Sequence, residues 1–327
     1  MESPAILKLS FGLFALLEVT CMDACGRALE IDLPANAIAY STETKMLYAT
    51  IPSSAGPDFG NKLIEINPAD ATITGSVLVG SEPGPLATSP DSPVAYVGVN
   101  SVAVRPVDLT SLAAGTQFST PEYVQQIAVM PGAPATIAVT IGSYGRGSVA
   151  AFDSGIMRGV IDGFVPYANS IAFDTQSQAL FGYNNYGPFV LSQYALGATG
   201  VALAQEAANV VRGYGATIVL VDGIVYASSG QAVDESALTL IGTYQSSGPL
   251  VVDDSTDSVT FVHDTQLEVF DRDTFVPIFS LPIPGAQGNP VGAAGCGSDC
   301  IGVIFDSGQI FVMTQVSDPV FANGFDQ

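Results

Sequence analysis

Leu86-Ala-Thr-Ser-Pro-Asp-Ser-Pro-Val-Ala-Tyr-Val-Gly-Val-Asn100 decides how the chain is read. The apolar pair Leu86-Ala87 comes first, then a polar stretch from Ser89 to Pro93, then a second apolar run that begins at Ala95-Tyr96. Ser, Pro and Asp at the centre favour a turn, and Val with Tyr on either side favours strands, so the segment reads as two antiparallel strands. The same spacing recurs. First members are Ile38-Ala39, Leu86-Ala87, Ile127-Ala128, Ile171-Ala172, Ile218-Val219, Val251-Val252 and Val291-Gly292. Second members are Leu47-Tyr48, Ala95-Tyr96, Thr136-Ile137, Leu180-Phe181, Val225-Tyr226, Thr260-Phe261 and Ile301-Gly302. The step is nine residues in five of these, seven across the tight turn Val221-Asp222-Gly223, and ten in the last.

Units begin every 33 to 48 residues. A period near that length, with several short strands per unit, is the signature of a β-propeller. The expectation is an all-β, seven-bladed β-propeller with four-stranded blades. In the first unit the strands fall at 37–41, 46–50, 62–67 and 73–79. The last unit, with 300–305 and 309–314, is one strand short. The alternating run Leu29-Glu-Ile-Asp-Leu33 is expected to supply the missing outer strand, closing the ring and hiding an open sheet edge.

Composition agrees with this architecture. The chain has 327 residues, 48% hydrophobic and 12% charged, with 34 Gly and 21 Pro. That suits many short buried strands joined by turns, and radial repetition allows one domain of this size. With 31 acidic against 9 basic residues the formal net charge is -22. Such a surface repels phosphate backbones and anionic membranes, so nucleic-acid partners are excluded. No EF-hand, phosphate loop, dinucleotide fingerprint or zinc motif occurs, and no cofactor or metal is expected.

Residues 89–110, with Ser89-Pro-Asp, Tyr96-Val, Asn100 and a Val-rich strand ending in Asp108, resemble the YVTN-type propeller repeat. The other units share the pattern loosely through Ile66-Asn67, Phe152-Asp153, Tyr194 and Phe270-Asp271. The resemblance covers about residues 30 to 314 and implies the fold without naming a ligand. The chain has no Trp, and lacks the Trp-Asp and Gly-His marks of WD repeats.

Residues 1–28 resemble a secretory signal peptide. Lys8 precedes an apolar run from Leu9 to Val19, and Ala24-Cys25-Gly26 and Gly26-Arg27-Ala28 place small residues where a signal peptidase cuts. The run is too short and interrupted for a membrane span. Beyond it only Cys296 and Cys300 remain, in Cys296-Gly-Ser-Asp-Cys300, and a structural disulfide is expected there, in keeping with an oxidising compartment. After the propeller at 29–314, the tail 315–327 contains Phe321-Ala-Asn-Gly-Phe-Asp326, which resembles a short tail of many exported Gram-negative proteins.

Loops that enter inner strands, and loops that join second to third strands, share one face of a propeller. On that face Tyr123, Tyr167 and Tyr214 each lie five residues before an anchor residue, in blades three to five. The second-to-third loops of blades three and four add Tyr144, Arg146, Asn184, Asn185 and Tyr186. One reading is an aromatic and Asn/Arg arc that binds a protein or carbohydrate partner. The other packs the three matched tyrosines between blades as a repeat feature. Catalysis has little support: His263 is the only histidine, and the Asp253, Asp254, Asp257, Asp271 and Asp273 cluster falls in turns and strand ends. The expected function is therefore an exported, monomeric, non-catalytic binding or structural module. A lactonase-like metal-assisted hydrolase and a self-assembling envelope or matrix component are the alternatives.

Overall fold

A computed structural model describes residues 27–143, 146–159, 167–174, 178–297 and 300–314. The expected signal segment up to residue 26, the tail 315–327 and Tyr144 lie outside these. The chain forms seven antiparallel sheets arranged as the blades of a β-propeller. Blade one runs Ala37–Ser41, Met46–Ile51, Lys62–Asn67 and Thr72–Leu78, from the inner to the outer strand. Inner strands of the other blades are Leu86–Thr88, Val124–Val129, Ser170–Phe173, Ile218–Val221, Leu250–Asp253 and Pro290–Gly295.

Blade two departs from the four-strand plan. Its outer strand is split into Ala113–Ala114 and Phe118–Ser119, which both pair with Ala103–Asp108. In the seventh sheet, Arg27–Ile31 pairs antiparallel with Gln309–Thr314, with Leu29 opposite Val312. The strand sits two residues earlier than 29–33. Leu33 precedes Pro34, and its N–H turns back to the Ile31 carbonyl at 2.9 Å instead of continuing the ladder. The Gln309 amide donates to Glu30 at 2.6 Å, tying residues 279 apart in sequence.

The nine-residue step is a register device. It sets Ala39 opposite Tyr48, Ala87 opposite Tyr96 and Ala172 opposite Phe181 on the inner and second strands. Small side chains fit where inner strands converge on the central channel. Large ones further out fill the wedge between neighbouring blades. Tyr48 packs with Leu63 and Val79 of its own blade and with Ala95, Val97 and Val99 of the next. Tyr96 does the same against Val124, Ile127 and Ile137. The core is thus a ring of inter-blade interfaces rather than one central mass.

Hydrogen bonds reinforce those interfaces. Inner strands are cross-linked where Thr88 donates to the Tyr40 carbonyl at 2.8 Å, where the Ile171 N–H donates to the Gln126 side chain at 2.8 Å, and where the Ile218 N–H donates to the Ser170 hydroxyl at 2.9 Å. Between blades five and six the link is ionic. Arg272 is buried; its Nε donates to the Tyr226 hydroxyl at 2.7 Å, and its terminal nitrogens reach Asp254 at 2.6 Å and Asp222 at 3.2 Å. The guanidinium carbon lies 5.7 Å from the Tyr226 ring centroid. Burial alone would weaken this cation, but the hydrogen bonds from Arg272 to Tyr226 and Asp222 and the charge of Asp254 outweigh it, and its pKa is raised.

Candidate functional site

The tyrosine-bearing face is built by loops around blades three to five. Tyr214 lies in the connection between blades four and five, and Tyr186 in the loop between the second and third strands of blade four, Leu180–Tyr183 and Val190–Gly197. Their rings meet edge to face with centroids 6.0 Å apart. Phe189, from the same loop as Tyr186, meets Tyr214 edge to face at 5.0 Å. Tyr214 therefore stands between two aromatic partners while remaining 75% exposed, and Tyr186 is 59% exposed.

Polar contacts fix this pair of loops. The Asn185 amide donates to the Ala216 carbonyl at 2.9 Å, and the Gly215 N–H donates to the Asn185 carbonyl at 3.2 Å. The Asn184 side-chain oxygen accepts the Tyr186 N–H at 3.2 Å. Asparagine side chains used in this way close local turns and leave the rings pre-positioned. Phe189 has φ of +61°, a conformation disfavoured for a bulky residue, so packing holds it against backbone preference.

Tyr123 and Tyr167 are also more than half exposed, at 55% and 56%. The packing of the three matched tyrosines between blades is therefore not what the structure shows: their rings face solvent. Their positions match in sequence but not in surroundings. The Tyr123 carbonyl accepts the Gly142 N–H at 2.9 Å, the Tyr167 carbonyl accepts the Tyr194 hydroxyl at 3.2 Å, and only Tyr214 belongs to the aromatic cluster. Arg146 opens the strand Arg146–Asp153, paired with Ser143, rather than lying in a loop, and its side chain is outside the described residues.

Beside this cluster the channel opens into a cavity of about 410 Å³. Gly215, Thr217, Gln126, Ser228, Pro290 and Val291 contribute to its wall. The Gln126 side-chain oxygen and the Ser228 hydroxyl are already engaged, accepting the N–H groups of Ile171 and Thr217. His263 does not line this wall, and its ring contacts the Ser247 carbonyl at 3.0 Å, next to the lining residue Gly248. Among the described residues no group of three or more His, Cys, Asp or Glu side chains is placed so that it could hold a metal ion. No helix there is long and apolar enough to cross a membrane. Cys296 and Cys300 form a disulfide with Cα atoms 4.9 Å apart, on the first-to-second turn of blade seven.

No protein-family model matches the sequence, and no curated protein matches it. Among solved structures the chain is similar to Kuenenia stuttgartiensis hydrazine synthase, with a TM-score of 0.66 and 12% identity, over 88% of this chain and 97% of that one. At that identity the likeness shows the propeller fold alone.

Sequence reasoning missed Phe189, the role of Gly215 and Thr217 at the channel mouth, and the Arg272 link. Phe189 had a signal, since it follows Asn184-Asn-Tyr-Gly-Pro188 in a loop already rich in candidate residues. Arg272 had none, because Tyr226 and Asp222 lie 46 and 50 residues away.

Proposed function

We propose that the protein is an exported, YVTN-type β-propeller that binds a partner, without catalysis, through the face carrying Tyr186, Phe189 and Tyr214. The observation that carries this reading is the exposed aromatic cluster at the channel mouth, clamped by asparagine hydrogen bonds. Exposed aromatic rings lose free energy in water and recover it by stacking on a ligand, and a fixed loop lowers the ordering cost of binding. The adjoining wall offers amide, hydroxyl and apolar groups, a set suited to stacking and hydrogen bonding rather than to activating water. The disulfide and the signal-like residues 1–28 support export.

The test is a binding screen of the full chain against immobilised glycans and peptides, repeated with the double variant Tyr186→Ala/Tyr214→Ala. Both rings are exposed, so each substitution alone costs little stability, within about 0.5 kcal/mol. Losing two stacking anchors weakens the bound partner by about tenfold or more. A partner that binds the double variant as tightly as the unaltered chain refutes the role of this face.

A further inference from the structure

A further cavity lies on the opposite face. It holds about 610 Å³ and is bordered by the first-to-second turns of blades one, six and seven. Sequence explains the space. Gly295 closes the inner strand of blade seven and Gly297 lies in the turn beyond it, so neither puts a side chain into the space beside Val251 and Val252 of blade six. Val252, Phe279 and Ile301 supply apolar walls. Asp253 and Asp254 stand among the lining residues with Lys45.

The two carboxylates are held in place. One oxygen of Asp253 accepts the Ser255 N–H at 2.8 Å and the Ser255 hydroxyl at 2.6 Å. One oxygen of Asp254 accepts Arg272 at 2.6 Å. Among the described residues the second oxygen of each carries no hydrogen bond. Lys45, by contrast, is exposed and no described partner fixes its ammonium. A fixed charge in a half-buried setting attracts a ligand more effectively than a mobile, hydrated one. The formal charge of -22 adds a field that draws cations and repels anions.

We propose that this cavity is a second binding site, for a small amphiphile with an apolar body and a cationic amine head. The apolar body lies against Val252, Phe279 and Ile301, and the ammonium group pairs with Asp253. A pocket of this size accommodates a small-molecule ligand.

Calorimetric titration of the full chain with octylamine, octanol and octanoate tests the assignment. The expected order is octylamine tightest, ahead of octanoate by about tenfold or more. Asp253→Asn keeps an oxygen acceptor for Ser255 and removes the charge. It should bring octylamine down to the level of octanol. Thr260→Met and Ile278→Trp each add bulk at the cavity lining. At least one of them, with its unfolding midpoint unchanged, should weaken both octylamine and octanol. Tighter binding of octanoate than of octylamine overturns the proposal. So does an unaltered octylamine affinity in Asp253→Asn, or in both bulky variants. The Tyr186→Ala/Tyr214→Ala variant should bind octylamine as the unaltered chain does, and loss of binding there assigns the amine to the other face and refutes the site.

Discussion

Replacing Arg272 by Met separates a structural ion cluster from surface charge. The methionine keeps much of the apolar stem, so the loss falls on the guanidinium. Tyr226 is 1% exposed, and its hydroxyl then sits in a dry interface without its nitrogen partner, at a cost of about 1–3 kcal/mol. The cation over the Tyr226 ring adds about 1 kcal/mol. Asp222 and Asp254 contribute little, because their side chains are 53% and 61% exposed and return to water, each within about 1 kcal/mol. Together these give a loss of about 3 kcal/mol, a large part of the roughly 5–15 kcal/mol that holds a typical domain folded. Urea unfolding followed by circular dichroism reads this as a lower midpoint at constant slope. Asp254→Ala is the control and should cost less than about 1 kcal/mol. If Asp254→Ala costs as much as Arg272→Met, or if Arg272→Met costs less than about 1 kcal/mol, the burial argument is wrong.

Two further perturbations follow from local chemistry. Replacing Cys296 and Cys300 together by Ser removes the cross-link of a short loop, and the chain-entropy model gives a loss of about 2 kcal/mol, read as a lower unfolding midpoint that matches the reduced parent protein. Asp153 is held below the ordinary carboxylate range, first by its hydrogen bond from Arg158 and also by Thr136, against a burial effect of opposite sign. A lowered folded-state value means that the ionised form stabilises the fold above the unfolded-state pKa of about 3.9 and that this contribution fades as pH falls through the folded value. Asp153→Asn should therefore cost less than about 1 kcal/mol at neutral pH, since the side chain is 47% exposed, and the gap from the parent protein should close on acidification. A gap that widens in acid contradicts the assignment.

The fold was legible because one register device repeats. Ile38-Ala39 and Leu47-Tyr48 are nine apart since an inner strand, a short turn and a second strand place Ala39 against Tyr48. The turn Val221-Asp222-Gly223 shortens the step by two and still pairs Val219 with Tyr226. Less was legible at strand ends. Leu33 leaves its ladder before Pro34, and Gly115 falls in the gap that splits the outer strand of blade two. The site was legible as a set of loops and not as an arrangement. Five-residue spacing picked out Tyr123, Tyr167 and Tyr214 alike, but only Tyr214 meets Tyr186 and Phe189, because that meeting depends on how the Asn184–Phe189 loop folds against the Ala216 segment. The opposite cavity is bordered by positions without side chains, and Gly295 and Gly297 read as ordinary small residues of a strand end and its turn.

The most direct test of the binding face is hydroxyl-radical footprinting of tyrosines in the full chain, with and without the partner found in the screen. Tyr186 and Tyr214 are exposed on the proposed face, and Tyr40 lines the cavity on the other. Protection of Tyr186 and Tyr214 with Tyr40 unchanged is the predicted result. Protection of Tyr40 alone, with Tyr186 and Tyr214 reacting as in the free protein, contradicts it.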